Sequence, residues 1–235
     1  MESGIALFST DGLLFALRWL HIFFGIAWIG HLYYFNFVQG AFFAETDAGT
    51  KNQAISKLVP RALIWFRHGA SGTLLAGLLI IMIRAHQGGW GSFASSWGVN
   101  ITMGMTLGTI MFMNVWFVIW PNQKVVIANA QGVLAGKPAD PAAAACGAKA
   151  GLASRHNVLF SIPMLFFMAA ARHLPIATGP ESNYLMLTIV AGIIILGLEF
   201  NALKGKLGVL TTVKGVITSG FGLAAVLYGL VEFFL

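Results

Sequence analysis

The chain has 235 residues, of which 57% are hydrophobic and only 9% are charged, with a formal net charge of +6. A soluble domain carries about 25% charged residues, so this composition excludes a water-soluble surface and indicates an integral membrane protein. The single cysteine, Cys146, excludes an intrachain disulfide and a cysteine-rich metal site, and the positive charge fits cytoplasmic loops better than nucleic-acid binding.

Six apolar stretches are long enough to cross a bilayer as a helix, which takes roughly 20 residues. We predict transmembrane helices TM1 to TM6 over residues 12–37, 60–83, 99–120, 152–173, 184–200 and 207–234. The predicted fold is therefore all-α: a polytopic membrane helix bundle of about six spans, formed by a single domain over residues 1–235. TM6 is the least regular of these spans because Lys214 lies within its first turns.

Lysines and arginines are concentrated on one side of this predicted bundle. Eleven lie in or beside the loops that follow TM1, TM3 and TM5, and three lie on the other side. Because such residues mark cytoplasmic loops, both termini are predicted to lie outside and the loops at about 39–59 and 122–151 inside. The predicted location is the bacterial inner membrane, which the chain crosses several times.

Histidines give the strongest chemical signal, because ionisable side chains are costly within lipid. Histidines from two helices commonly hold the iron of b-type haem, so the predicted iron ligands are His21, His31, His68, His156 and His173. His31, His68 and His156 lie at similar predicted depths on the inner side, which favours pairing among them. The outer His21 and His173 match less well unless TM4 tilts or begins deeper. Structural hydrogen bonding between helices is the alternative role for each ring.

Five of the six arginines precede a histidine by one to three residues. A guanidinium beside a ligand histidine can bind a haem propionate or an anionic substrate through two hydrogen bonds. The predicted cofactor-binding residues are Arg18, Arg67, Arg155 and Arg172. The alternative is that lipid confines polar residues to helix ends, which accounts for Arg84, Arg155 and Arg172 more easily than for Arg18 and Arg67.

Several short motifs are distributed over residues 12–175. They are Arg18-Trp19-Leu20-His21, the run 25–30, Trp65-Phe66, Asn114-Val115, Pro121-Asn122-Gln123-Lys124, His156-Asn157, Pro163 and His173. Together they resemble the membrane domain of the bacterial membrane-bound urate oxidase (urate hydroxylase) family.

The resemblance implies a multi-helix membrane domain, urate oxidation as the activity, and a polar centre that includes His21, His156 and His173. Members are often fused to a C-terminal cytochrome c domain that accepts electrons. The present sequence has no Cys-x-x-Cys-His motif for covalent haem attachment, so we expect a separate carrier to accept them.

We therefore predict a membrane-embedded redox protein that holds one or two b-type haems. It would pass electrons between a quinone or small reductant and a cytochrome c, either as an oxidoreductase or as an electron-transfer subunit of one. The alternative is a non-catalytic membrane subunit that stabilises a larger respiratory or oxygenase complex. A transporter is less well supported, because the spans show no inverted repeat or matched helix breaks.

Overall fold

The computed structural model describes residues 5–235, and the regular secondary structure in this part of the chain is helical. The α-helices are α1 (Thr10–Tyr33), α2 (Gly40–Glu45), α3 (Ala48–Gly88), α4 (Ser96–Met113), α5 (Trp120–Leu134), α6 (Ala142–His173), α7 (Tyr184–Lys204) and α8 (Val213–Phe234). Two π-helical turns, π1 (Tyr34–Gln39) and π2 (Asn114–Ile119), join α1 to α2 and α4 to α5. The predicted all-α bundle is confirmed.

Polar side chains determine where five of these helices begin. Each accepts a hydrogen bond from a backbone N–H in the first turn, which otherwise has no partner within the helix. The capping residues of α1, α3, α4, α7 and α8 are Ser9, Asp47, Ser95, Asn183 and Thr212. The polar segments between the predicted spans therefore act as helix starts as well as connections.

Five helical segments in residues 5–235 are long and apolar enough to cross a membrane. They are 10–45, 48–88, 96–134, 184–204 and 213–234. The sixth predicted span corresponds to α6, which is less apolar because Arg155, His156 and Asn157 follow one another in it. That composition suits its position, since α6 packs against α1, α4, α5, α7 and α8, and its His156 and Asn157 side chains are fully buried.

The helices extend further than the apolar pattern predicts. Helix α3 has 41 residues, about 60 Å of helix, against a bilayer core of about 30 Å. The regions 39–59 and 122–151, predicted as loops, are therefore mostly helical extensions of α2, α3, α5 and α6. We call this end of the bundle the lysine-rich end. Its lysines include Lys51, Lys57, Lys124, Lys149 and Lys204.

Helices α1 and α3 approach each other closely, and a glycine permits it. A Cβ atom at Gly69 would lie 2.8 Å from the backbone nitrogen of Trp28. Small residues at helix contacts allow such backbone approach in membranes. This contact positions the side chains of α1 that face the interior of the bundle.

Candidate functional site

A large cavity opens among α1, α3, α4 and α6 at the end of the bundle opposite the lysine-rich end. Its volume is about 1070 Å³, and Arg18, Arg84 and Arg172 line it together with His21 and His173. We call it the arginine cavity. None of its lining residues, all in the described part of the chain, is acidic, so the cavity favours an anionic occupant.

His21 is held in one orientation in the wall of this cavity. Its Nδ1 atom lies 2.8 Å from the carbonyl oxygen of Thr73, and a carbonyl can only accept, so Nδ1 carries the proton. A Cβ atom at residue 77 would lie 3.1 Å from His21 Cε1, so Gly77 makes room for the ring. A donated Nδ1–H leaves Nε2 as the free acceptor, which is the arrangement that ligand histidines use.

The deeper wall of the cavity is mostly apolar but contains one donor without a partner. Trp28 lines the cavity and is only 2% exposed, and its indole Nε1–H has no hydrogen-bond partner among the described residues. Met164 and Met168 of α6 line the same cavity. A buried unpaired donor is costly, so an occupant with an acceptor at this depth would remove that cost.

The structure does not bring His31, His68 and His156 together with His21 and His173 in this cavity. His31 Nδ1 lies 2.6 Å from the Ala27 oxygen, and His68 Nδ1 lies 2.9 Å from the Ile64 oxygen. Each of these two rings therefore bonds the preceding turn of its own helix, which leaves its Nε2 free. They contact different aromatic rings, Phe35 for His31 and Trp116 for His68.

His156 is fully buried, and both of its ring nitrogens are engaged. Nδ1 donates to the Leu152 oxygen over 2.9 Å, and Nε2 accepts from Asn201 Nδ2 over 2.8 Å. Asn201 also bonds the backbone N–H and the carbonyl of Lys206. His156 thus joins α6 to the turn after α7, and in this arrangement neither nitrogen is free to bind iron.

Arg67 and Arg155 also lie outside the arginine cavity. The Arg67 guanidinium lies over the ring of Trp120, with 3.5 Å between Cζ and the ring centroid. Arg155 is half-buried, and its Nη1 has no hydrogen-bond partner among residues 5–235. Arg84, by contrast, lines the cavity, although it was not among the predicted cofactor-binding residues.

A buried polar cluster lies along the lysine-rich half of α6. Asn114 Nδ2 donates to Asn157 Oδ1 and to Glu199 Oε2, each over 3.0 Å, and Asn157 Nδ2 donates to the Met111 oxygen. Asn114 begins π2, and the π-turn is the type of helix irregularity often found at functional sites. From the sequence these asparagines were recognised only as motif residues, although amides inside an apolar run themselves indicate a buried polar site.

Within residues 5–235, no group of three or more His, Cys, Asp and Glu side chains is arranged to hold a metal ion. A b-type haem needs only two histidines from the protein, so the absence of such a group bears on metal ions held by side chains alone and not on haem iron.

The fold and cavity define a polytopic helical membrane protein with a cationic internal site. The family model described as "Urate oxidase N-terminal" matches residues 87–227, which is more than half of the chain. The chain belongs to this family, and the match extends beyond TM4 into α8. Neither the curated proteins nor the solved structures include a match to it.

Proposed function

We propose that this membrane domain is a redox protein that holds one b-type haem in the arginine cavity. It would pass electrons between a quinone or small reductant and a cytochrome c. The observation that carries the proposal is that two histidines from different helices, His21 and His173, line one cavity together with three arginines. Two-helix histidine ligation is the arrangement that membrane helices use for b-type haem.

The residues of the cavity fit this group. His21 presents a free Nε2 because its Nδ1 is bonded to Thr73, and His173 lies at the end of α6 on the same cavity. Arg18, Arg84 and Arg172 would bind the two propionates through charge-assisted hydrogen bonds. The haem, when bound, would supply one-electron transfer.

The remaining wall residues would keep water away from the ring and orient it. Apolar side chains of α3, α4 and α6 line the cavity, among them Leu74, Ile101, Met105 and Met164. An apolar environment raises the strength of the electrostatic contacts made within it. Because His156 is engaged on both nitrogens, the proposal is for one haem rather than two.

A haem assay with paired variants tests the proposal. Purified wild-type protein should give a pyridine haemochrome at about one haem per chain, and His21→Ala and His173→Ala should each lose most of it. His31→Ala and His68→Ala are matched controls that should retain it. Folded wild-type protein without haem would overturn the proposal and leave the non-catalytic subunit as the better reading.

A second candidate is that the same cavity binds the anion named in the family description, urate. The observation that favours it is that the lining includes three arginines and, in the described part of the chain, no acidic residue. Isothermal titration of haem-free protein with urate should then show saturable binding that weakens on Arg84→Gln. Binding of similar strength to an uncharged purine would contradict a site selective for the anion.

A further inference from the structure

Two cations at the lysine-rich end share one indole ring. The Arg67 guanidinium of α3 lies 3.5 Å from the centroid of the Trp120 ring, and Lys124 Nζ lies 5.7 Å from the same centroid. Trp116 lies one turn earlier, in π2, and its ring centroid is 5.4 Å from Arg67 Cζ. Arg67 Nε donates to the Leu63 oxygen, and this backbone bond leaves the charge of the guanidinium uncompensated.

The helices that form this site contain no anion that could neutralise it. The sequence has no aspartate or glutamate from residue 48 to residue 139, which covers α3, α4 and α5 completely. Helices α3 and α5, which carry Arg67 and Trp120, also contact α1 and α6. Helix α6 has no acidic residue. The acidic residue of α1 is Asp11, which lies in its first turn at the opposite end of the bundle. Two like charges beside one ring are unfavourable unless an anion accompanies them.

The position of the site identifies the source of that anion. Trp120 ends the apolar run 99–120, and tryptophan favours the boundary between lipid and water. Lys124 is exposed one turn further along the same helix. The cationic surface is therefore at the level of lipid headgroups, on the side where lysines and arginines are concentrated.

We propose that Arg67, Trp120 and Lys124 form a binding site for the phosphate of an anionic phospholipid from the inner leaflet. The guanidinium can offer two parallel N–H donors to a phosphate, and the ammonium adds a second positive charge. Basic pockets between membrane helices on the cytoplasmic side bind anionic headgroups in this way. The indole keeps the guanidinium in place, which reduces the entropy lost on binding.

Native mass spectrometry of the full chain with phosphatidylglycerol and phosphatidylcholine tests this proposal. We expect the wild type to retain phosphatidylglycerol in preference to phosphatidylcholine. Lys124→Gln should weaken that preference about fivefold, the effect of one cation near a membrane surface, and Arg67→Gln should weaken it at least as much. Lys124 is exposed, so Lys124→Gln remains informative if the Arg67 variant does not fold.

Two controls separate this site from a general effect of positive charge. Lys137→Gln and Lys149→Gln remove the same charge from the same end but away from the ring, and they should leave the preference unchanged. Equal retention of the two lipids by the wild type, or equal losses in control and site variants, would overturn the proposal. Displacement of the lipid by inorganic phosphate at equal concentration would assign the site to soluble phosphate instead. The test needs no haem, so its outcome is independent of the redox proposal.

Discussion

Two histidines, His21 in the arginine cavity and His156 in the lysine-rich half, are hydrogen-bonded in opposite ways. In the arginine cavity, His21 uses one nitrogen for a backbone bond, and the indole N–H of Trp28 has no partner within residues 5–235. At the lysine-rich half, His156 uses both nitrogens, and Asn114 and Asn157 bond each other and their surroundings. Satisfied buried polar groups stabilise a fold, whereas a buried donor that lines a cavity without a partner is available to a ligand. Variants of the polar cluster around α6 should therefore lose stability, whereas variants of the arginine cavity should alter the site with little change in stability.

The largest effect on stability is expected from His156→Ala. It removes two hydrogen bonds, one to the Leu152 carbonyl and one from Asn201, and leaves a cavity at a fully buried position, so the free energy of unfolding should fall by about 3 kcal/mol. Unfolding in mixed detergent micelles measures it. The exposed His86, replaced in the same way, should change the free energy of unfolding by less than about 0.5 kcal/mol. Equal losses for His86 and His156 would remove the distinction between the two regions.

A smaller loss is expected from Asn114→Leu, which leaves Glu199 and Asn157 Oδ1 without their donor. Removing one partner of a buried hydrogen bond costs about 2 kcal/mol. Combining it with Asn157→Leu should cost less than the sum of the single changes, by about 1 kcal/mol, because contacting residues are coupled. A double-mutant cycle of unfolding measures the coupling, and strict additivity would contradict a shared cluster.

In the arginine cavity, Gly77→Ala should alter the site with little change in stability. The new Cβ would lie 3.2 Å from His21 Nδ1, so the ring must move and its bond to Thr73 should weaken. The helix gains about 1 kcal/mol from replacing glycine, which offsets the crowding. Imidazole ¹⁵N shifts of His21 and unfolding measurements check both parts.

Gly192→Ala is the matched control for Gly77→Ala, because a Cβ there meets nothing within 4 Å. It should raise the free energy of unfolding through helix propensity alone and leave the ¹⁵N signals of His21 unchanged. A His21 spectrum that is the same in Gly77→Ala and in the wild type would show that the ring has more room than the contact distance implies.

The smallest effect concerns the start of α3. Hydrogen bonds from the Thr50 hydroxyl and N–H hold the pKa of the Asp47 carboxyl below its usual value. A lowered folded-state pKa contributes stability that is present above the unfolded-state pKa and lost as pH falls through the folded one. Exchange of the Thr50 amide hydrogen should therefore speed up at acid pH, beyond its intrinsic change. Asp47→Asn should remove this excess pH dependence.

The sequence by itself determined the class of protein, the approximate spans and the family. These depend on apolar run length and on short motifs such as Asn114-Val115 and His156-Asn157, which are local properties of the chain. The extension of α3 and α6 beyond the bilayer could not be predicted from the sequence, because a polar helix and a polar loop have similar composition.

Only the tertiary structure decided which side chains meet. Counting residues along each span favoured the inner histidines as partners, but helix rotation places His156 against Asn201 and Arg67 against Trp120. The arrangement of α1, α3 and α6 instead brings His21, Arg84 and Arg172 to one cavity. Depth can be counted from sequence, whereas the direction of a side chain around its helix depends on every neighbour against which that helix packs.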